Sequence, residues 1–217
     1  MKATESYHFL IADDHSVVRQ GLSVVIRELY PTAKILTSSN FRNTLQIVKD
    51  MAIDLLILDI SFPEGSSLNI IGEIKNLQPD CKILLFTGHD EDIYAMRFLN
   101  AGATGFLNKG GSEEDIRQAL HSMMVSGKYV STNVRNKILD SYINKSPINP
   151  LEKLSAREVE VARLLVKGFG NLEISEMLDI RKTTVSTFKN RIYEKLMIDN
   201  LAALIELFRL YSGEQSS

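Results

Sequence analysis

The stretch Ile53-Asp54-Leu55-Leu56-Ile57-Leu58-Asp59 constrains the fold of this chain more than any other part of it. A short run that is apolar on both faces reads as a central strand of a parallel sheet, covered on both sides. Ligands of such sheets gather at the carboxyl ends of the strands, which places Asp59 at the rim of a crevice. Asp is also a common first residue of a loop. The stretch alone therefore leaves Asp59 open between a functional carboxylate and a turn residue.

The surrounding sequence repeats the pattern. Phe9-Leu10-Ile11-Ala12 ends at Asp13-Asp14, Ala33–Leu36 is a second strand, Lys82–Phe86 ends at Thr87, and Gly105-Phe106-Leu107 ends near Asn108-Lys109. Helical stripes lie between these runs, over 16–29, 41–48, 68–77 and 93–99. A last helix runs to Val125 from Ser112 as N-cap, with Glu113, Glu114 and Asp115 in its first turn. Five strands alternating with five helices predict an α/β fold, a doubly wound five-stranded parallel sheet.

The strand ends carry the chemistry. Asp13 with Asp14, Asp59, Thr87 and Lys109 follow four different stretches of the chain to the same edge of that sheet. Three carboxylates drawn together repel one another unless charge is supplied. An oxygen-preferring divalent cation supplies it, and Mg²⁺ held by few carboxylates keeps positions open for phosphoryl oxygens. Lys109 is a point charge suited to a phosphate oxygen, and Thr87 offers a hydroxyl. Together these residues describe a carboxylate that becomes phosphorylated.

The acidic pair, the lone Asp59, Pro63 four residues on, Thr87, the Gly105-Phe106 stretch and Lys109 resemble the receiver domain of bacterial two-component response regulators. The resemblance runs from residue 7 to about 128 and implies a flavodoxin-like sheet. It implies Asp59 as phosphoacceptor, fed by a sensor histidine kinase. Asp14 and Asp59 would ligate Mg²⁺ through their side chains, Ser61 through its carbonyl, and Asp13 through water. Thr87 and Phe106 match the family's switch pair, although plain core packing accounts for Phe106 equally well. The chain departs from the family at Phe62, where Met is usual, and at Ser67, where the loop usually has Gly. It also has Gly110 where many receivers have Pro, which puts the usual cis peptide there in doubt.

A linker follows. Asn133–Ile143 has the spacing of a short helix, and Pro147 and Pro150 then interrupt the chain. The expected division is a receiver over 1–128, a linker over 129–150 and a second domain over 151–217. Charge supports two domains with different partners: residues 1–128 hold 12 Lys+Arg against 16 Asp+Glu, and 129–217 hold 13 against 11.

The second domain reads as four helices. Ser155 and Glu158 form a capping box that opens the first, and the others run over 172–178, 184–196 and 201–210. The third has an apolar stripe and a basic, hydroxyl-rich face after a short helix and a tight turn, as in a helix-turn-helix. Leu154-Ser155, Arg157-Glu158, Gly168, Glu173-Ile174, Thr184-Val185 and Lys195-Leu196 resemble the LuxR-type DNA-binding domain, from about residue 152 to 211. Receiver plus this all-α domain resembles the NarL/FixJ subfamily. That implies Ser186, Thr187 and Asn190 facing bases, and Lys182, Thr184, Lys189, Arg191 and Lys195 on phosphates. It also implies homodimers on promoter DNA, with RNA polymerase as a candidate contact.

The single Cys81 forms no internal disulfide, and no apolar run reaches membrane-spanning length, so a cytoplasmic regulator without a membrane partner is expected. The competing class is an enzyme, a phosphatase or hydrolase using the same acidic cluster. The chain lacks a P-loop or nucleophile elbow for it, and the basic helix would be idle, so no enzymatic activity is expected.

Overall fold

The protein is described from a computed structural model, which covers residues 6–63, 65–144, 147 and 149–211. The chain divides into two compact units between Leu139 and Asp140.

The first unit is a parallel sheet of β1 (His8–Ala12), β2 (Lys34–Ser38), β3 (Leu55–Leu58), β6 (Lys82–Thr87) and β7 (Gly105–Asn108) in the order β2-β1-β3-β6-β7. A short antiparallel ribbon, β4 (Ser61–Phe62) with β5 (Gly65–Ser66), lies in the loop after β3 and was not expected from the sequence. Five helices connect the strands: α1 (Ser16–Leu29), α2 (Phe41–Asp50), α3 (Leu68–Leu77), α4 (Glu91–Asn100) and α5 (Glu113–Ser126). All four residues of β3 are buried, as a strand covered on both faces must be. One face of the sheet (Phe9, Ile11, Leu55, Ile57, Leu84, Phe86, Leu107) packs against Leu22, Val25 and Ile26 of α1 and Ala119, Leu120 and Met123 of α5. Phe106 alternates with Leu107 and so points to the other face, where it is buried.

The first unit does not stop with α5. Gly127 closes that helix at φ +74°, but the chain turns back to the sheet edge. Phe106 donates its N–H to the Tyr129 carbonyl at 2.8 Å, and Tyr129 forms a parallel bridge with Gly105. Val134 of α6 (Thr132–Asn144) is buried as well. The division of the chain therefore falls inside the segment 129–150 that its composition marks as linker, because residues after Gly127 pair with β7 rather than standing free.

The second unit is helical. A 3-10 turn over Pro150–Lys153 precedes α7 (Ala156–Val166), α8 (Asn171–Met177), α9 (Lys182–Leu196) and α10 (Leu201–Tyr211). Val161, Ala162, Leu165, Ile174, Val185, Ile192, Leu204 and Phe208 form its core. The tight turn between α8 and α9 places Asp179 at φ +51°, a left-handed position that Asp tolerates better than most residues. No described helix is long and apolar enough to cross a membrane.

Candidate functional site

Strand register explains the acidic cluster. Ala12 is level with Leu58, Leu58 with Leu85, and Thr87 with Asn108. The ladder then continues one residue past the strands: Asp59 donates its N–H to Ala12 O at 2.9 Å, and Lys109 to Thr87 O at 2.7 Å. The residues after four strands consequently emerge together at one end of the sheet.

Lys109 Nζ lies 2.7 Å from Asp13 Oδ2 and 2.7 Å from Asp59 Oδ2. Both carboxylates are almost fully buried, so their charges act in a weakly screened setting. Burial by itself would push the Lys109 ammonium down, but the hydrogen bonds and charges of Asp13 and Asp59 outweigh it and hold its pKa above that of a free lysine. The other acceptor oxygen, Asp59 Oδ1, takes the Ile60 N–H at 2.7 Å. Arg19 holds the acidic loop from behind, donating from Nη1 to Asp13 O at 2.7 Å and to Asp14 O at 3.0 Å.

Ligand atoms of Asp13, Asp14, His15 and Asp59 all lie within 4.8 Å of one another. Asp14 Oδ1 is buried without a hydrogen-bond partner; His15 Nδ1 stands 2.7 Å away but out of hydrogen-bonding geometry. A buried carboxylate oxygen left over beside two further carboxylates fits a hard divalent cation.

Thr87 is fully buried, and its Oγ1 accepts the His89 N–H at 3.3 Å. His89 Nε2 in turn lies 2.6 Å from Ser61 Oγ, joining the loop after β6 to the loop after β3. No described peptide bond is cis, including the one before Gly110.

In the second unit, Val185, Ile192 and Leu196 turn α9 inward and leave Thr183, Thr187, Asn190 and Glu194 on the opposite, exposed face. Lys182, Thr184 and Arg191 lie to the sides of that face, while half-buried Lys189 lies beside the apolar stripe with Nζ 5.6 Å from the Tyr193 ring. Ser186 is half-buried and accepts from Asn171 Nδ2 at 3.1 Å, which ties the start of α8 to α9. Lys195 Nζ is 2.7 Å from Glu158 Oε2.

Residues 9–121 match the response regulator receiver domain family, and residues 152–208 match the bacterial regulatory proteins of the luxR family. Among curated relatives, the oxygen regulatory protein NreC of Staphylococcus epidermidis is 32% identical over 91% of this chain and 94% of its own length. The fimbriae Z protein of Escherichia coli K12 is 30% identical over 93% of this chain and 96% of its own. The chain is a two-component response regulator. Its subfamily is NarL/FixJ, whose members are DNA-binding transcription regulators with a LuxR-type helix-turn-helix. The fold agrees: RcsB from Salmonella enterica serovar Typhimurium, solved bound to a promoter, superposes with a TM-score of 0.73 at 24% identity, over 93% of this chain and 98% of that one.

In this regulator Asp13, Asp14, Asp59 and Lys109 form one cluster, with Thr87 on a neighbouring strand end. Thr183 is also exposed on the outward face of α9, where a helical wheel centred on Val185 places it. Sequence reasoning missed Arg19 and His89, whose partners are backbone carbonyls and a loop hydroxyl that no local pattern announces. Lys195, expected on DNA, also pairs with Glu158.

Proposed function

We propose that this regulator accepts a phosphoryl group on Asp59 from a sensor histidine kinase, and that the phosphorylated form pairs as a homodimer on promoter DNA. The observation that carries the reading is the Lys109 ammonium seated between Asp13 and Asp59 at 2.7 Å from each. It sets a counter-charge beside the carboxylate that would bond to phosphorus. In the transfer, an Asp59 oxygen forms the new bond to phosphorus as the phosphorus–nitrogen bond of the donor phosphohistidine breaks and the imidazole leaves. Asp14 and Asp59 would hold Mg²⁺ by side chain, Ser61 by its carbonyl and Asp13 through water; the ion would neutralise charge on the phosphoryl oxygens.

Lys109 then meets a phosphoryl oxygen. Thr87 gives up its contact with the His89 amide to donate to another, and the Phe106 ring, already buried, repacks beside it. In the second unit, Thr183, Ser186, Thr187 and Asn190 face the bases, while Lys182, Thr184, Lys189 and Arg191 bind phosphates. Residues 129–139 complete the receiver unit, and the chain from 140 leads on to the DNA-binding domain over 151–217. RNA polymerase is a further contact. We place the protein in the cytoplasm as a regulator without enzymatic turnover of its own.

Acetyl phosphate with Mg²⁺ is expected to label the protein on Asp59, with no label without the ion and none in Asp59→Asn. Undiminished labelling of Asp59→Asn would sink the assignment.

A further inference from the structure

We infer that Ser67 is a positioning residue for phosphoryl transfer, holding the peptide that aims the Asp59 carboxylate. The inference rests on Asp59 being the acceptor. Ser67 precedes α3 and is fully buried, yet its hydroxyl does not cap that helix. Instead Ser67 Oγ lies 2.6 Å from the Asp59 carbonyl oxygen and 2.7 Å from that of Ile60, and the Ser67 N–H reaches Ile60 O at 3.3 Å.

The peptide between Asp59 and Ile60 is thus gripped at both ends. Its carbonyl oxygen accepts from Ser67, and its N–H donates to Asp59 Oδ1 at 2.7 Å. Rotation of this peptide plane would break both bonds at once. With Oδ1 pinned by the amide, Oδ2 is left to Lys109 at 2.7 Å. The Ser67 hydroxyl therefore acts on the acceptor carboxylate through one peptide unit, without touching it.

Backbone geometry does not call for glycine here. Ser67 sits at φ −68°, ψ −6°, an ordinary right-handed conformation. The side chain adds a clasp that a glycine in this loop could not make. Without it, the Asp59 carbonyl loses the Ser67 donor, the Ile60 carbonyl keeps only the Ser67 N–H, and the acceptor peptide gains freedom to turn.

The test compares wild type, Ser67→Ala and Ser67→Gly in the full chain, with Asp59→Asn as control. Phosphorylation by acetyl phosphate at saturating Mg²⁺ is followed well below each variant's Tm. Both variants are expected to fold and to lose about tenfold in maximal rate, with the half-saturating acetyl phosphate concentration little changed, since geometry and not donor binding is disturbed. A residue that only braces the loop would lower Tm and leave that rate constant alone. A wild-type rate in Ser67→Ala, or in Ser67→Gly should the alanine variant not fold, overturns the inference while leaving Asp59 standing. Label retained in Asp59→Asn, or no label in wild type, overturns the acceptor reading and this inference with it.

Discussion

Glu158 and Lys195 are joined across the second unit, with Nζ 2.7 Å from Oε2, linking the first turn of α7 to the last turn of α9. The same carboxylate oxygen accepts from the Ser155 backbone N–H at 2.8 Å and lies 2.9 Å from the Ser155 hydroxyl. One buried side chain therefore closes a capping box and anchors α9. Glu158→Ala is expected to destabilise the DNA-binding unit by about 1–2 kcal/mol, seen in urea unfolding of the full chain.

Burial would raise the Glu158 pKa, but Lys195 and Ser155 more than offset it and hold the folded value below 4.5. A depressed carboxylate contributes stability that is fully present above the unfolded pKa and lost as pH falls through the folded one. Stability of the second unit should thus fall on acidification below about pH 4.5. Glu158→Gln should flatten that part of the profile.

Charges on α9 separate by what holds them. Arg191 is exposed and Lys189 lies over the Tyr193 ring, neither with a carboxylate partner among the described residues, whereas Lys195 is paired with Glu158. Lys189→Ala or Arg191→Ala should lower the slope of log K against log salt for promoter DNA by about 1. Lys195→Ala should lower Tm and leave the slope nearly unchanged. Equal slopes for all three variants would contradict this division.

Gly105 is held to glycine by packing. A Cβ there would sit 2.7 Å from Met123 Sδ, 2.9 Å from Leu84 Cδ1 and 3.0 Å from the Tyr129 carbonyl oxygen. The first two neighbours are side chains in the core and the third is the backbone bridge to β7. Gly105→Ala should cost about 1–3 kcal/mol, measured by thermal unfolding.

Cys81 is buried, and burial pushes its thiol up to about 11. The folded protein should react with a thiol reagent at pH 8 far more slowly than the protein in urea. The unfolded thiol ionises first, near 9.0, so this group lowers stability as pH rises from there toward about 11. Fast modification of the native state at pH 8 would show the thiol to be accessible.

Much of this molecule is written in local patterns. Leu55–Leu58, apolar throughout, could only be a strand covered on both faces, and the polar residue after each strand named the end of the sheet that matters. Ser112, Gly127 and Ser155 marked helix ends because caps are made within a few residues of the chain. These are short-range effects, so the amino-acid sequence alone determined the two fold classes and the residues of the acidic cluster. The tertiary structure decided which atoms meet. Lys109 reaches Asp59 from 50 residues away, and Lys195 reaches Glu158 from 37. Tyr129 joins the edge of β7, and the Ser67 hydroxyl turns from its helix to the Asp59 carbonyl. No period or cap encodes such contacts, because packing of distant elements sets the distances on which each hydrogen bond depends.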